Sequence, residues 1–196
     1  MKLASLFAAS ALALVASAAG AATIDFEATP TGTYSSLAIG DVTFTFTGGN
    51  GNFDVVDSGD PGAPIAGHAL ISFFQNPGAE PLMATFANGA SAFTIGVGDY
   101  GADEDNDYLE AYDASGNLLD SDYYFNPAGN YGGGYLTVSS DVTIAYVKFW
   151  DAEPYPGAVY WDNASYTPVV PEPETYALMG LGLAAVGFMA RRRRPA

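Results

Sequence analysis

Short segments in which apolar and polar residues alternate are the feature that most constrains the fold of this chain. In the segment 41–49, DVTFTFTGG, an apolar side chain occupies every second position, at Val42, Phe44 and Phe46. The segment 91–99, SAFTIGVGD, repeats this period of two. Because successive side chains of a β-strand point to opposite sides, both segments predict strands with one buried face.

Similar segments recur along the middle of the chain, separated by Gly, Pro, Asn and Asp, and no helical period of useful length interrupts them. We therefore predict an all-β fold of about eleven strands, an antiparallel two-sheet sandwich with a jelly-roll as the preferred topology. Ser115-Gly116-Asn117 predicts the turn of a β-hairpin, and segments 59–67 and 125–134 predict loops. The remaining predicted strands are TIDFE, NFDVV, ALISFF, LMATFA, DYLEAYD, NLLDSDYYF, GYLTVS, TIAYVKFW and AVYWDNASY.

The N-terminus differs from this middle part. Residues 1–22 contain a lysine at position 2, an apolar run and a row of small residues. This order is typical of a signal peptide, an apolar helix that directs export and is then removed. We expect cleavage between Ala18 and Thr23, which leaves a secreted β-sandwich domain at residues 23–168.

The C-terminal segment, residues 169–196, has three parts. A Pro-Glu-Pro step at 171–173 precedes an uncharged stretch at 175–190 and four arginines at 191–194. As a helix, a stretch of this length measures about 24 Å, less than the roughly 30 Å hydrocarbon core of a bilayer. We predict a short transmembrane helix whose arginines stay on the cytoplasmic side, so that the domain faces outward.

This order of proline step, apolar stretch and arginine cluster resembles the PEP-CTERM sorting signal of Gram-negative bacteria. The resemblance implies a processing partner, the exosortase-type membrane protease, which cuts near the Pro-Glu-Pro step. It also implies an inner-membrane-anchored precursor whose domain then reaches the cell surface or an extracellular exopolysaccharide matrix. An unprocessed single-span anchor is the alternative. The sorting residues are Val170, Pro171, Glu172, Pro173, Arg191, Arg192, Arg193 and Arg194.

The middle of the chain is more loosely similar to secreted β-sandwich domains that carry this tail, through its IDFE, AYDASGN and DN segments. This looser similarity supports the fold alone.

Composition excludes several classes of function. The chain has no Cys, one His and a net charge of −16, and Lys148 is the only Lys or Arg between 23 and 168. Disulfides, thiol catalysis and a three-histidine zinc site are excluded, and nucleic acid is not an expected partner because its phosphates are also negative. We predict no catalytic residues and no enzymatic activity, with a secreted polysaccharide-degrading enzyme as the third hypothesis.

Acidic residues are concentrated in the segment 98–113, GDYGADEDNDYLEAYD. Calcium prefers six to eight hard oxygen ligands, which such a segment can supply. We take Asp99, Asp103, Asp105 and Asp107 as candidate ligands of a calcium ion, the one cofactor considered. An EF-hand is excluded because Tyr108 stands where its glycine belongs. A solvated acidic loop is the alternative.

Tyr and Trp are frequent in the C-terminal half, where flat rings could stack on sugars. We take Tyr131, Tyr135 and Tyr155 as candidate carbohydrate-binding residues, and we expect Trp150 and Trp161 in the core. The sequence thus predicts an exported, non-catalytic cell-surface or exopolysaccharide-matrix protein with a structural or adhesive role. The alternative is a calcium-assisted, lectin-like carbohydrate-binding module, for which exopolysaccharide would be a partner.

Overall fold

The computed structural model describes residues 20–47, 51–72, 81–152, 159–169 and 179–184. Within these ranges, eleven β-strands lie in one unit formed by residues 19–169. Their bounds are β1 Ala22–Ile24, β2 Gly32–Tyr34, β3 Ser36–Ile39, β4 Val42–Phe46, β5 Phe53–Asp57, β6 His68–Ile71, β7 Leu82–Asp99, β8 Asp105–Tyr112, β9 Leu118–Asn126, β10 Gly132–Asp151 and β11 Tyr160–Pro168.

The eleven strands form one continuous hydrogen-bonded sheet, in which the long antiparallel strands β7 and β10 connect two halves that we call the first and the second sheet. The second half of β7 pairs with β11 and with the first half of β10. The first half of β7 pairs with β4 and with the second half of β10. The strand order is β2-β5-β6-β11-β7-β10-β8-β9. The first sheet continues into the second along β7 and β10, and the register between these two strands shifts on either side of Ile144. β1 lies beside β11 in the first sheet, and β3 lies beside β4 in the second.

The two sheets face each other across one hydrophobic core. The ring centroid of Phe46 in the second sheet lies 6.2 Å from that of Phe53 in the first. The ring centroid of Phe149 in the second sheet likewise lies 4.9 Å from that of Trp161 in the first. Burial of such apolar side chains is the main source of stability. The molecule is therefore an antiparallel all-β fold consistent with the predicted sandwich, whereas the jelly-roll topology stays a prediction. The largest fully buried side chains are Trp161, Phe26, Phe44, Phe53, Phe93, Phe149, Ile65, Leu70, Leu82, Ile95, Leu109 and Leu136.

The alternating pattern predicts side-chain direction correctly. In β4 the apolar side chains at positions 42, 44 and 46 are buried, whereas the two threonines between them are partly exposed. The predicted hairpin joins β8 to β9. Its turn is closed by the Asp113 carboxylate, which accepts hydrogen bonds from the backbone N–H groups of Ser115 and Asn117 at 2.8 and 2.9 Å.

Several segments predicted as separate strands are continuous in the structure. LMATFA and SAFTIGVGD together form the 18-residue β7, and GYLTVS and TIAYVKFW form the 20-residue β10. Each of these strands serves both sheets, which needs about twice the usual strand length. The sequence pattern also misses β2 and β3, which are short and largely exposed.

The predicted loop at 125–134 is shorter than expected, because β9 continues to Asn126 and β10 begins at Gly132. The glycines there permit close backbone contact. A Cβ atom on Gly133 would lie 1.8 Å from the carbonyl oxygen of Val97, so only glycine fits. Segment 59–67 is a loop as predicted, with a single bridge between Gly62 and Ile65.

The two ends of the chain are described only in part. Residues 179–184 are helical. The rest of the predicted transmembrane helix 175–190, the Pro-Glu-Pro step, the arginines and residues 1–19 of the predicted signal peptide lie outside the described residues. In the part of the chain that the structure describes, no helix has the length and apolar character needed to cross a membrane.

Candidate functional site

Five aspartates gather where β7 ends and β8 begins. Asp99 is the last residue of β7, and Asp103 lies in the connection between β7 and β8. Asp105 and Asp107 are the first and third residues of β8. Asp151, the last residue of β10, is the register partner of Asp107. We refer to these five residues as the acidic cluster.

Three members of the acidic cluster come close enough to share one ion. One carboxylate oxygen from each of Asp99, Asp103 and Asp105 lies within 4.8 Å of the other two. These are three of the four residues that the sequence suggested as calcium ligands. The fourth, Asp107, is outside this group and lies two residues further along β8, on the same side of the strand as Asp105.

Asp107 is the most unusual member of the cluster. Its side chain is 0% exposed, and within the described part of the chain neither of its carboxylate oxygens has a hydrogen-bond partner. Asp107 is buried because of the pleat of β8, which places Asp105 and Asp107 on the same inward face as Leu109 and Ala111. Two carboxylates thus occupy positions that elsewhere in the strand hold apolar residues.

Burial disfavours the charged form of these carboxyl groups. It raises the pKa of Asp107 to about 9, with further contributions from repulsion by Asp151 and then Asp105. It raises the pKa of Asp105 to about 7, helped by the charge of Asp99. Burial also raises the pKa of Asp99. Ionising the whole cluster at neutral pH therefore needs a compensating positive charge.

Neighbouring amides hold several of these carboxylates in place. The Asn126 side-chain amide, itself fully buried, donates to Asp105 Oδ2 at 3.3 Å and to the Gly132 carbonyl at 3.2 Å. The Gly101 N–H donates to Asp99 Oδ1. The Asn106 N–H donates to Asp151 Oδ1 at 3.2 Å. The acidic cluster is therefore anchored by β8, β9 and the connection after β7.

Sequence reasoning missed both Asp151 and Asn126, since each is far in sequence from the acidic segment. Asp151 carries a weak signal in the sequence, as an acidic residue that ends an apolar strand. Strand register, which brings Asp151 opposite Asp107, reveals its role.

Three tyrosines lie next to the acidic cluster and form what we call the tyrosine group, Tyr100, Tyr131 and Tyr160. Tyr131 is 69% exposed and Tyr100 is 41% exposed, and their rings meet edge to face with centroids 6.4 Å apart. Tyr160 contacts Tyr100 in the same way at 6.3 Å. Burial raises the pKa of Tyr160, and the neighbouring Tyr100 and Asp99 raise it further.

The other two tyrosines suggested for carbohydrate binding are not part of this group. Tyr135 lies in β10 and is 56% exposed. Tyr155 lies outside the described residues.

A second set of rings covers the outer side of β8, β9 and β10. Tyr108 stacks on Trp150 with centroids 5.2 Å apart and also contacts Tyr123 at 5.0 Å. We call these three residues the outer aromatic face. The expected core position is confirmed for Trp161 but wrong for Trp150, because β10 alternates and Trp150 follows the inward Phe149.

Asp162 and Asn163 in β11 have a structural role. The Asp162 carboxylate accepts from the Ala66 N–H at 3.3 Å, and the Asn163 amide donates to the Pro64 carbonyl at 2.7 Å. Both bonds fasten the loop at 59–67 to β11. Burial raises the pKa of Asp162 to about 6.

Two solved structures are similar to this chain in outline. One is a DUF4465 family protein from Bacteroides caccae, with a TM-score of 0.43 and 10% identity over 82% of this chain and 97% of that protein. The other contains the CBM22-1 and GH10 modules of endo-1,4-β-D-xylanase 10B from Clostridium thermocellum, complexed with xylohexaose. Its TM-score is 0.39, with 9% identity over 75% of this chain and 27% of the xylanase chain.

Comparison with curated proteins gives no match to this sequence. The family model of the PEP-CTERM protein-sorting motif, in contrast, matches residues 169–194. This match confirms the resemblance seen in the proline step and the arginine cluster. The chain is therefore a protein that carries a PEP-CTERM protein-sorting motif, which implies export to the surface by way of a membrane-anchored precursor.

Proposed function

We propose that this protein is an exported, non-catalytic component of the cell surface or of an exopolysaccharide matrix, with a structural or adhesive role. The observation that carries the proposal is the sorting motif at 169–194, which follows directly on the β-sandwich unit. In this proposal residues 1–22 are a signal peptide and the stretch 175–190 spans the inner membrane. An exosortase-type protease recognises the Pro-Glu-Pro step and releases the domain.

The surroundings of the titratable groups favour a non-catalytic role. A glycosidase needs two carboxyl groups that both reach the scissile bond. Asp107 and Asp151, the register pair of the acidic cluster, are 0% and 3% exposed and therefore cannot reach a polysaccharide chain. The single histidine, His68, is also engaged structurally, since its Nδ1 donates to the Thr29 carbonyl at 2.9 Å.

One surface cavity on the described part of the chain is lined by serines and an aspartate. It measures about 350 Å³ and is lined by Ser91, Ser139, Ser140 and Asp141. A serine nucleophile needs a neighbouring general base such as histidine, and His68 lies in a different strand, β6. These serines therefore have no histidine beside them among the residues that line the cavity.

The sorting route can be tested in a Gram-negative host that contains exosortase. We expect wild-type protein in a shortened form outside the membrane fraction. The double variant Pro171→Ala, Pro173→Ala should accumulate at full length in the inner membrane. The variant Pro127→Ala, which changes a proline between β9 and β10, is the control and should behave as wild type. Equal distribution of the double variant and the wild type would contradict the proposal.

A second candidate function is carbohydrate binding, favoured by the tyrosine group. Tyr131 and Tyr100 expose aromatic surface beside carboxylates that can accept hydrogen bonds from sugar hydroxyls. Rings of this kind bury sugar C–H surface, whereas the neighbouring oxygens give the contact its direction. The ligand class would be a neutral polysaccharide, because the net charge of −16 repels acidic chains.

A glycan array of neutral oligosaccharides tests this candidate. We expect wild-type protein to bind a subset of glycans and Tyr131→Ala to lose that binding. Tyr123→Ala, in the outer aromatic face, is the control because that tyrosine is also about half exposed. Loss of binding in Tyr123→Ala alone would move the site to the outer aromatic face. A blank array would exclude this candidate and leave the structural role.

A further inference from the structure

The spacing of the carboxylates is that of a single ion site. Calcium holds its oxygen ligands at about 2.3–2.6 Å, so two oxygens around one ion are at most about 5 Å apart. The oxygens of Asp99, Asp103 and Asp105 all lie within 4.8 Å of one another. Three carboxylates from different positions of the chain therefore fit into one coordination sphere.

The unpartnered Asp107 is an independent sign of a missing ligand. A carboxylate that is fully buried without a hydrogen bond costs several kcal/mol unless a positive charge compensates it. Asp107 has no such bond within the described residues, and it follows Asp105 on the inward face of β8. The charged groups that act on Asp107 are Asp151, Asp105 and Asp99, all of the same sign. A cation held by Asp99, Asp103 and Asp105 would offset this repulsion and compensate the buried charge of Asp107.

The chemistry of the donors selects the class of ion. All four side chains offer hard carboxylate oxygens, and the chain has no cysteine. His68, its one histidine, lies in β6 and binds the Thr29 carbonyl. Zinc and copper prefer nitrogen and sulfur ligands, whereas calcium prefers oxygen and accepts irregular geometry. Asp99 and Asp105 are fixed by the amides of Gly101 and Asn126, which orients two ligands in advance.

We propose that Asp99, Asp103 and Asp105 bind one calcium ion at the junction of β7 and β8, beside the buried carboxyl group of Asp107. Asp151 completes the acidic surroundings as the register partner of Asp107. The ion ties the end of β7 to the start of β8. Through Asp99 and the adjacent Tyr100 it also stiffens the base of the tyrosine group. This site is independent of the sorting motif and of any glycan.

Calcium-dependent melting of the full chain in detergent tests the site. We expect the melting temperature to rise by about 5–10 °C when millimolar calcium replaces chelator, as for a ligand present at about a hundred times its dissociation constant. Magnesium at the same concentration should give a clearly smaller rise. No rise with calcium, or an equal rise with magnesium, would overturn the assignment.

Terbium, which replaces calcium and emits when excited through a nearby tyrosine, gives a direct measure of binding. Asp103→Asn should weaken affinity about tenfold or more, since it removes one charge from the shell. This residue is only half buried, so the variant should fold even where Asp105→Asn does not. Asp141→Asn, which changes an exposed carboxylate in β10, should leave affinity unchanged. Equal affinity in Asp103→Asn and wild type, or an equal loss in Asp141→Asn, would overturn the proposal.

Discussion

Asp107 in β8 and Asp151 in β10 are register partners, and both of their side chains are buried in the same end of the sandwich. Directly opposite residues in an antiparallel pair have Cβ atoms about 4.5–5.5 Å apart, so two like charges there repel each other. This pair of buried carboxyl groups therefore destabilises the folded state.

Asp107→Asn should stabilise the protein in the presence of chelator. The substitution keeps the size of the side chain but removes a buried group whose charged form is unfavourable, for a gain of roughly 1–3 kcal/mol. Urea unfolding of the two proteins measures this difference. Asp141→Asn is the control and should change stability little. In saturating calcium this gain should shrink, because the bound ion compensates the charge of Asp107 in the wild type. A less stable variant in chelator would contradict the unpartnered state of Asp107.

Asp162 should make stability depend on pH. Its folded-state pKa of about 6 lies above the ordinary value, so the native state binds this proton more tightly than the unfolded state. The stabilising contribution of Asp162 is therefore complete below about pH 4 and is lost as the pH rises through about 6. Relative to Asp162→Asn, the wild type should lose roughly 1–3 kcal/mol between pH 4 and pH 7.

The measurement is the free energy of unfolding of both proteins across this pH range. The difference between wild type and Asp141→Asn should stay nearly constant, because that carboxylate is exposed. A difference between wild type and Asp162→Asn that does not change with pH would contradict the raised pKa.

Gly133→Ala should destabilise the protein strongly. The added Cβ would lie 1.8 Å from the Val97 carbonyl oxygen in the paired strand β7, so the backbones must separate. We expect a loss of about 3 kcal/mol or more, in the upper range for a single substitution. Gly129→Ala is the matched control. Gly129 has a φ of 87° but no atom within 4 Å of the added Cβ, so the strain should cost only about 1 kcal/mol. Equal losses would indicate that β10 can shift away from β7.

The two tryptophans should report on different environments. Trp161 is 1% exposed and contacts Phe149, whereas Trp150 lies in the outer aromatic face. In Trp161→Phe the remaining fluorescence comes from Trp150 and should be quenched by acrylamide more strongly than in Trp150→Phe. Trp161→Ala should cost about 3–5 kcal/mol of stability and Trp150→Ala much less. Similar quenching in the two phenylalanine variants would place Trp150 in the core.

Alternation along the chain was sufficient to predict the fold class and the buried faces of the strands. The pleat of a strand has a period of two, so burial of one apolar side chain in β4 places the others on the same inward face. These side chains are Val42, Phe44 and Phe46. The lengths of β7 and β10 were not predictable in this way. Ala87-Asn88-Gly89 reads as a break between strands, and no register pair includes these three residues, yet β7 continues through them from one half of the sheet to the other.

The candidate site was predictable only where its residues are close in sequence. The acidic segment of the sequence predicts a cluster, and the structure does bring together Asp99, Asp103 and Asp105. Asp151 and Asn126 join them through the register of β10 and β9 with β8, and a sequence contains no direct signal of register. Which aromatic side chains are exposed depends on the same register, and this explains why Trp150 was misplaced.

The position of β11 determines how the domain would carry a mechanical load. This last strand is flanked by β7 along one side and by β6 and β1 along the other. A pull on the C-terminal end of β11 therefore acts along the strand, and the hydrogen bonds to its neighbours must break together rather than one after another. A load applied through this end of the unit would therefore be resisted by shear between β11 and its neighbours.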